Sequence, residues 1–162
     1  MLTDVEKQQI EAQVQQYSQK QAACIEALKI VQEQRGWVSD ENIRDIAHTL
    51  EMTPDELDSV ATFYNLIFRQ PVGRHVIHLC DSVICWMDGY ESLQDHLCKK
   101  LGIQMGETTP DGLFTLLPVC CIGYCDRAPA ILINKKAYGP LTPEKLDAIL
   151  DKLREEGGGS RN

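Results

Sequence analysis

Several features are missing from this chain, and each gap excludes a class of function. No apolar run approaches the roughly 20 residues that a membrane-spanning helix needs, so the sequence predicts a soluble protein with no direct membrane insertion. A redox dithiol of the C-x-x-C kind is absent, and so is the G-x-G-x-x-G turn of a nicotinamide site. Neither common ferredoxin run occurs: the bacterial C-x2-C-x2-C-x3-C and the plant-type C-x4-C-x2-C are both missing. Basic residues are in deficit, 16 Lys and Arg against 24 Asp and Glu, which gives a net charge of −8 and a pI near 4.9. That balance argues against a nucleic-acid footprint and against binding to anionic lipid. No charged-then-apolar leader precedes a small-residue cleavage site, so the expected compartment is a reducing one, where disulfides are rare.

What the chain does have is cysteine, seven in all, an odd number that cannot pair completely. Cys80 and Cys85 are separated by four residues and Cys121 and Cys125 by three, with thirty-five residues between the pairs. This is the pattern of a four-thiolate site delivered by two loops. Both spacings fall within the C-x2-4-C window of structural zinc knuckles. The bulky apolar residues Val83, Ile84, Trp86, Ile122 and Tyr124 within and beside the loops would wall a site off from water. Gly123 lets the main chain curl close and aim N–H groups at sulfur, and those are levers that set an iron–sulfur potential. On spacing alone zinc and iron–sulfur both remain open.

The pattern C-x4-C-x3-G followed by C-x-G-x-C-x3-P, with GETTPDGLFTL between, resembles the thioredoxin-like [2Fe-2S] proteins. With EALKIVQEQRGWV and DSVATFYNLIFRQPVGRHVI added, a resemblance running from about residue 20 to 153 is to the E-subunit family of NADH:quinone oxidoreductase, respiratory complex I. It implies one [2Fe-2S] cluster held by Cys80, Cys85, Cys121 and Cys125, with Cys120 pointing away. It also implies partners: an NADH-binding subunit whose FMN exchanges single electrons with the cluster, and a large iron–sulfur subunit, with FMN and NADH bound only on the partner side. The expected location is the cytoplasm, peripheral on the inner membrane through the complex, with no NADH, flavin or substrate-catalytic residues in this chain. The same site would serve a diaphorase module of a formate dehydrogenase or hydrogenase, and a zinc-stapled adaptor is the non-redox alternative. One departure from the family is Trp86, where many members carry His directly after the second ligand; it bears on local polarity and potential.

The remainder of the chain predicts an N-terminal helical bundle, an α+β or α/β thioredoxin-like domain and a short tail, over 1–72, 73–156 and 157–162. Ile10, Val14 and Tyr17 suggest a helix over 4–18, and Cys24, Leu28 and Val31 line one over 21–35 that Gly36 ends. Ser39 and Thr53 are candidate N-caps, with Pro54 and Glu56 completing a start signal. Cys24 and Cys98 read as core, and His48 as solvated. Phe63, Tyr64 and Phe68 read either as core or as a contact surface for a partner. Arg74 to Leu79 alternates as a strand, placing His75 and His78 on opposite faces. Residues 88–101 predict a helix, Leu113 to Leu117 a strand ending at Pro118, Ala130 to Ile133 a buried strand, and Thr142-Pro143-Glu144 the start of the last helix. If the first two strands are sheet neighbours, the cysteine loops that follow them meet at one edge. Asp126, Arg127 and Pro129 read as loop chemistry just beyond it.

Overall fold

A computed structural model describes residues 1–157, and the chain divides between Pro71 and Val72 into two compact units. The first holds four helices: α1 (Asp4–Val14), α2 (Cys24–Arg35), α3 (Asp40–Leu50) and α4 (Pro54–Phe63). Three begin with a capping box, in which the Thr3, Ser39 or Thr53 side chain accepts from the N–H three residues on and Glu6, Asn42 or Glu56 returns the bond. Gly36 ends α2 in the left-handed region at φ 85°, as its lack of Cβ allows. Ile10, Leu28, Val31, Ile43, Ile46, Leu50 and Leu57 form the core, and Cys24 packs against it as expected. The first helix stops earlier than its predicted end at 18. Gln16 and Tyr17 make i→i−3 bonds to Gln13 and Val14, a tightened last turn, and Tyr17 is left exposed. Phe63 is 78% exposed and Tyr64 43%, so neither is core.

One ion pair in this unit is buried. The Glu6 carboxylate, fully shielded from solvent, accepts from Arg35 Nε and an Arg35 terminal nitrogen at 2.7 and 2.6 Å and from the Thr3 N–H at 2.7 Å. Arg35 above all holds the Glu6 pKa at about 2, well below its ordinary 4.5. Arg69 ties the far side of the bundle, pairing with Asp40 and Asp58 at 2.6 Å each and donating to the Val38 carbonyl.

The second unit is a four-stranded sheet in the order β2-β1-β3-β4, with three helices. β1 (His75–Cys80) and β2 (Phe114–Val119) run parallel, in register from His75↔Phe114 to Cys80↔Val119. β3 (Ile131–Ile133) is antiparallel to β1, and β4 (Lys136–Tyr138) to β3. Asn134, in the left-handed region at φ 54°, makes the β3–β4 turn and bonds Val76 through both its N–H and its side chain. Between β1 and β2 lie α5 (Val83–Met87) and α6 (Tyr90–Leu101); α7 (Pro143–Gly157) closes the unit. Ile77, Leu79, Leu97, Phe114, Leu116, Ile131, Leu146 and Leu150 form its core, with Cys98 packed against it.

Two local expectations are corrected here. Pro118 does not end the second strand but pairs opposite Leu79 within it, which an edge strand permits because its outer face needs no N–H. Residues 83–87, expected as loop, form the separate helical turn α5. β1 is buried at every position, so His75 and His78 both lie inside, on opposite faces of the strand. Burial pushes the His75 pKa down, and its Nδ1 lies 3.3 Å from Asn134. Of the predicted tail 157–162, Gly157 is the last residue of α7 and residues 158–162 lie outside the described residues. Among the described residues no helix is long and apolar enough to cross a membrane.

The Glu6 geometry sets an acid-dependent stability. A carboxyl whose folded pKa is depressed stabilises the fold fully above its unfolded value and loses that contribution as pH falls through the window from 4.5 to about 2. The contribution is on the order of 2–3 kcal/mol, allowing for the partial exposure of Arg35. Arg35→Met should therefore lower stability at neutral pH by about that much and flatten the acid limb. Urea unfolding at pH 7 and pH 3 checks it, and an equally steep acid limb in the variant contradicts it.

Candidate metal centre

Because β1 and β2 are parallel neighbours, the segments that follow them leave the sheet at the same edge. Cys80 is the last residue of β1, its N–H donating to the Ala130 carbonyl at 3.3 Å, and Asp81 N–H donates to the Val119 carbonyl at 3.0 Å. Cys85 sits on α5, and both Cys80 and Cys85 are buried. The second pair begins two residues after β2 ends: Cys121 and Cys125 are exposed, with their Sγ atoms 3.4 Å apart. Two thiols that share one tetrahedral metal stand roughly 3.7 Å apart, for bonds of about 2.3 Å. Cys80 and Cys85 pack in one buried cluster with Val119 and Ala130.

The thiols arrive as two pairs, one inner and one outer. Among the described residues no three His, Cys, Asp or Glu side chains close on a single point. A tetrahedral zinc ion needs all four sulfurs around one atom, whereas a binuclear cluster takes two protein sulfurs on each iron. The paired donors fit the second.

The electrostatics divide the same way. Burial first, and then the bond with Cys80, push the Cys85 thiol up to about 11, while the Ala130 N–H opposes them. At the outer pair, the Gly123 N–H donates to Cys121 Sγ at 3.3 Å and is the main cause holding that thiol below its ordinary value. Gly123 sits at φ 76°, which turns its amide inward. The bond with Cys121 raises Cys125.

Ser82 is a site residue that spacing does not reveal. It occupies the N-cap position of α5 yet makes no capping bond; it lies near Cys121 of the second loop and is the least of the causes that lower that thiol. The only sequence signal was a Ser two residues after a cysteine. Cys120 is exposed beside the site, and Asp126 and Arg127 form an exposed pair at 3.8 Å. The expected apolar wall is corrected. Ile122 and Tyr124 pack against the cysteine cluster with Ala128, but Val83, Ile84, Trp86 and Met87 face solvent, Trp86 at 58% and Met87 at 71%. A five-residue helix offers too little length to turn all its apolar residues inward while presenting Cys85 to the sheet.

The pattern for thioredoxin-like [2Fe-2S] ferredoxins matches residues 10–154. The chain belongs to that family. The E subunit of the NADH-quinone oxidoreductase of Escherichia coli strain K12 is 50% identical over 153 residues, 94% of this chain and 92% of that protein. Its counterpart in Pseudomonas aeruginosa is 48% identical over 151 residues, 93% of this chain and 91% of its own length. Within the family, the chain thus groups with the E subunits of NADH-quinone oxidoreductase. A solved NAD+-reducing [NiFe]-hydrogenase in its H2-reduced state superposes with a TM-score of 0.68 at 29% identity, over 79% of this chain and 22% of that one. This chain therefore corresponds to about a fifth of the hydrogenase chain.

The thiols should differ in reactivity when no metal holds them. In reduced, metal-stripped protein near neutral pH, alkylation should modify Cys121 before Cys125 and Cys85 last, since the thiolate is the reacting form and Cys85 is both buried and raised. Timed mass spectrometry reads the order, and Cys85 reacting first would contradict the geometry.

Proposed function

We propose that Cys80, Cys85, Cys121 and Cys125 hold one [2Fe-2S] cluster, and that the chain is the single-electron carrier subunit of an NADH:quinone oxidoreductase. The observation that carries this reading is the pair-by-pair delivery of four thiols by two parallel strand ends, in a chain half identical to the Escherichia coli E subunit over nearly its whole length. When bound, the cluster takes up one electron and gives it back. The chain's own residues do the rest. Cys80 and Cys85 hold the inner half, shielded from water, and Cys121 and Cys125 hold the outer half near the surface. The Gly123 N–H directs a positive dipole at sulfur, and the Ser82 hydroxyl and Ala130 N–H, which lower the neighbouring thiols, add to it, offsetting charge that grows more negative on reduction.

The chain offers no NADH or flavin chemistry in this reading, so the electron comes from the FMN of an NADH-binding partner subunit. The exposed apolar turn Val83, Ile84, Trp86 and Met87 lies beside Cys85 and suits that contact, since aromatic residues and Met are enriched in interface cores. The helical unit, with exposed Phe63, Tyr64 and Leu66, is a second docking surface, shared with the large iron–sulfur subunit. Residues 1–72 and 73–156 thus act as a docking domain and a cluster domain. Such a subunit is cytoplasmic and reaches the membrane face only through the complex. A diaphorase module is the second reading, favoured by the likeness to NAD+-reducing hydrogenase; the cysteine site is then unchanged and the partners differ.

Two experiments test this. Anaerobically purified protein should be red-brown, carry two irons and two sulfides per chain, and become paramagnetic with dithionite. Cys120→Ala should leave the electron paramagnetic resonance signal as it is and Cys125→Ala should abolish or transform it. Colourless protein with one zinc and no sulfide sinks the proposal. Secondly, Ser82→Ala should keep iron and sulfide but make the reduction potential more negative, on the order of tens of millivolts, because a donor to sulfur is lost. An unchanged potential in a redox titration removes Ser82 from the site.

A further inference from the structure

The short segment after Cys125 touches three of the four thiol residues. It follows Cys125 through the 3-10 turn Cys125–Arg127, where Arg127 N–H donates to the Tyr124 carbonyl at 3.0 Å. At its end, Ala130 accepts from the Cys80 N–H at 3.3 Å and packs in one buried cluster with Cys80 and Cys85. Whatever holds residues 126–130 in place therefore holds both pairs in relation to each other.

The loop between β4 and α7 does this at two points. Leu141 N–H donates to the Pro129 carbonyl at 3.1 Å. Two residues earlier, Gly139 lies flat against Arg127: a Cβ there would overlap the Arg127 carbonyl oxygen and stand 3.2 Å from both its carbonyl carbon and its Cβ. The obstacle is main chain, so no rotamer change relieves it. Lys145, near the start of α7, donates to the Pro140 carbonyl at 3.1 Å and anchors the loop from behind.

The geometry points to Gly139 as a positioning residue for the cysteine site, one that touches no thiol but fixes Cys125 and Ala130 by allowing main chain to lie directly on main chain. This rests on the cluster reading above. A methyl group at 139 forces the Arg127 peptide away, carries the 3-10 turn with it, and changes both the Cys121–Cys125 approach and the packing of Ala130 against Cys80 and Cys85. Gly73 provides the matched control. A Cβ there would also meet main chain, at 2.9 Å from the Phe114 carbonyl carbon, but at the opposite end of β2 from the cysteines.

The test compares parent, Gly139→Ala and Gly73→Ala as full chains purified anaerobically. The readings are iron and sulfide content, the resonance signal of the reduced protein, potential, melting temperature and the half-life of colour against a chelator. Gly139→Ala should shift the g values and the potential and shorten that half-life on the order of tenfold, as the loss of an outer-sphere support does. Gly73→Ala should lower the melting temperature and leave signal and potential as in the parent. A fully loaded Gly139→Ala protein with the parent's signal, potential and half-life overturns the inference, as do identical changes in both variants. If Gly139→Ala does not fold, hydrogen exchange on the loaded parent decides: residues 139–142 exchanging as slowly as the end of β1 supports the clamp, and exchange at the rate of an open loop overturns it. A parent without iron and sulfide sinks the cluster reading itself, a result distinct from a loaded parent with an indifferent Gly139.

Discussion

The parallel pairing of β1 with β2 is the constraint on which the site depends. With six residues in each strand, an antiparallel partner would carry its following loop about 20 Å to the far end of the sheet, beyond the reach of any shared metal centre. Parallel neighbours instead release their chains a strand spacing apart at one edge, and the connection between them has to cross over through a helix. α6 is that crossover, which is why thirty-five residues separate two cysteine pairs that meet. The antiparallel β3 then runs back along the other side of β1 and brings Ala130 to the same edge.

Charge is the second organising fact. A chain of net charge −8 that gathers thiolates at one edge must offset them locally, and a main-chain dipole at Gly123 does part of this. The Gly123 N–H donates to Cys121 sulfur, with Ser82 and the Ala130 N–H lowering the neighbouring thiols, while Arg127, in the segment after Cys125, is exposed and engaged with Asp126. The helical unit handles charge in the opposite way, matching buried Glu6 with Arg35 directly.

Much of this was legible in the chain. The N-cap at Ser39 and the capping box at Thr53 rest on nearby side chains, so their signal is local and it located α3 and α4; that Asn42 completes a second box at Ser39 is seen only in the structure. The alternation of β1 and the periodic face of α6 were likewise legible, and so was the sheet-edge meeting of the two cysteine loops. The failures are those in which a neighbour outvotes the local signal. Pro118 reads as a strand end until the sheet order shows that it lies on an edge. Val83, Ile84 and Trp86 read as buried because they are apolar, yet α5 is a single turn whose inward side is taken by Cys85. Ser82 has the residue type of a helix cap, and only the approach of the second loop brings it near Cys121. Spacing alone likewise left zinc open; it is the match to the thioredoxin-like [2Fe-2S] family that favours iron–sulfur.

The two borders of the sheet carry a further consequence. β2 meets Thr108 in an isolated bridge at Thr115 and offers Pro118, which has no N–H to give. β4 is three residues long and begins with a lysine whose ammonium lies over the Tyr138 ring. Short, charged or proline-bearing margins resist the addition of another strand. The sheet is thus one whose margins disfavour extension from outside. Any larger machine that incorporates this chain has to be bolted on through helices and loops, where recognition is written in side chains and each contact can be altered without unravelling the β framework beneath it.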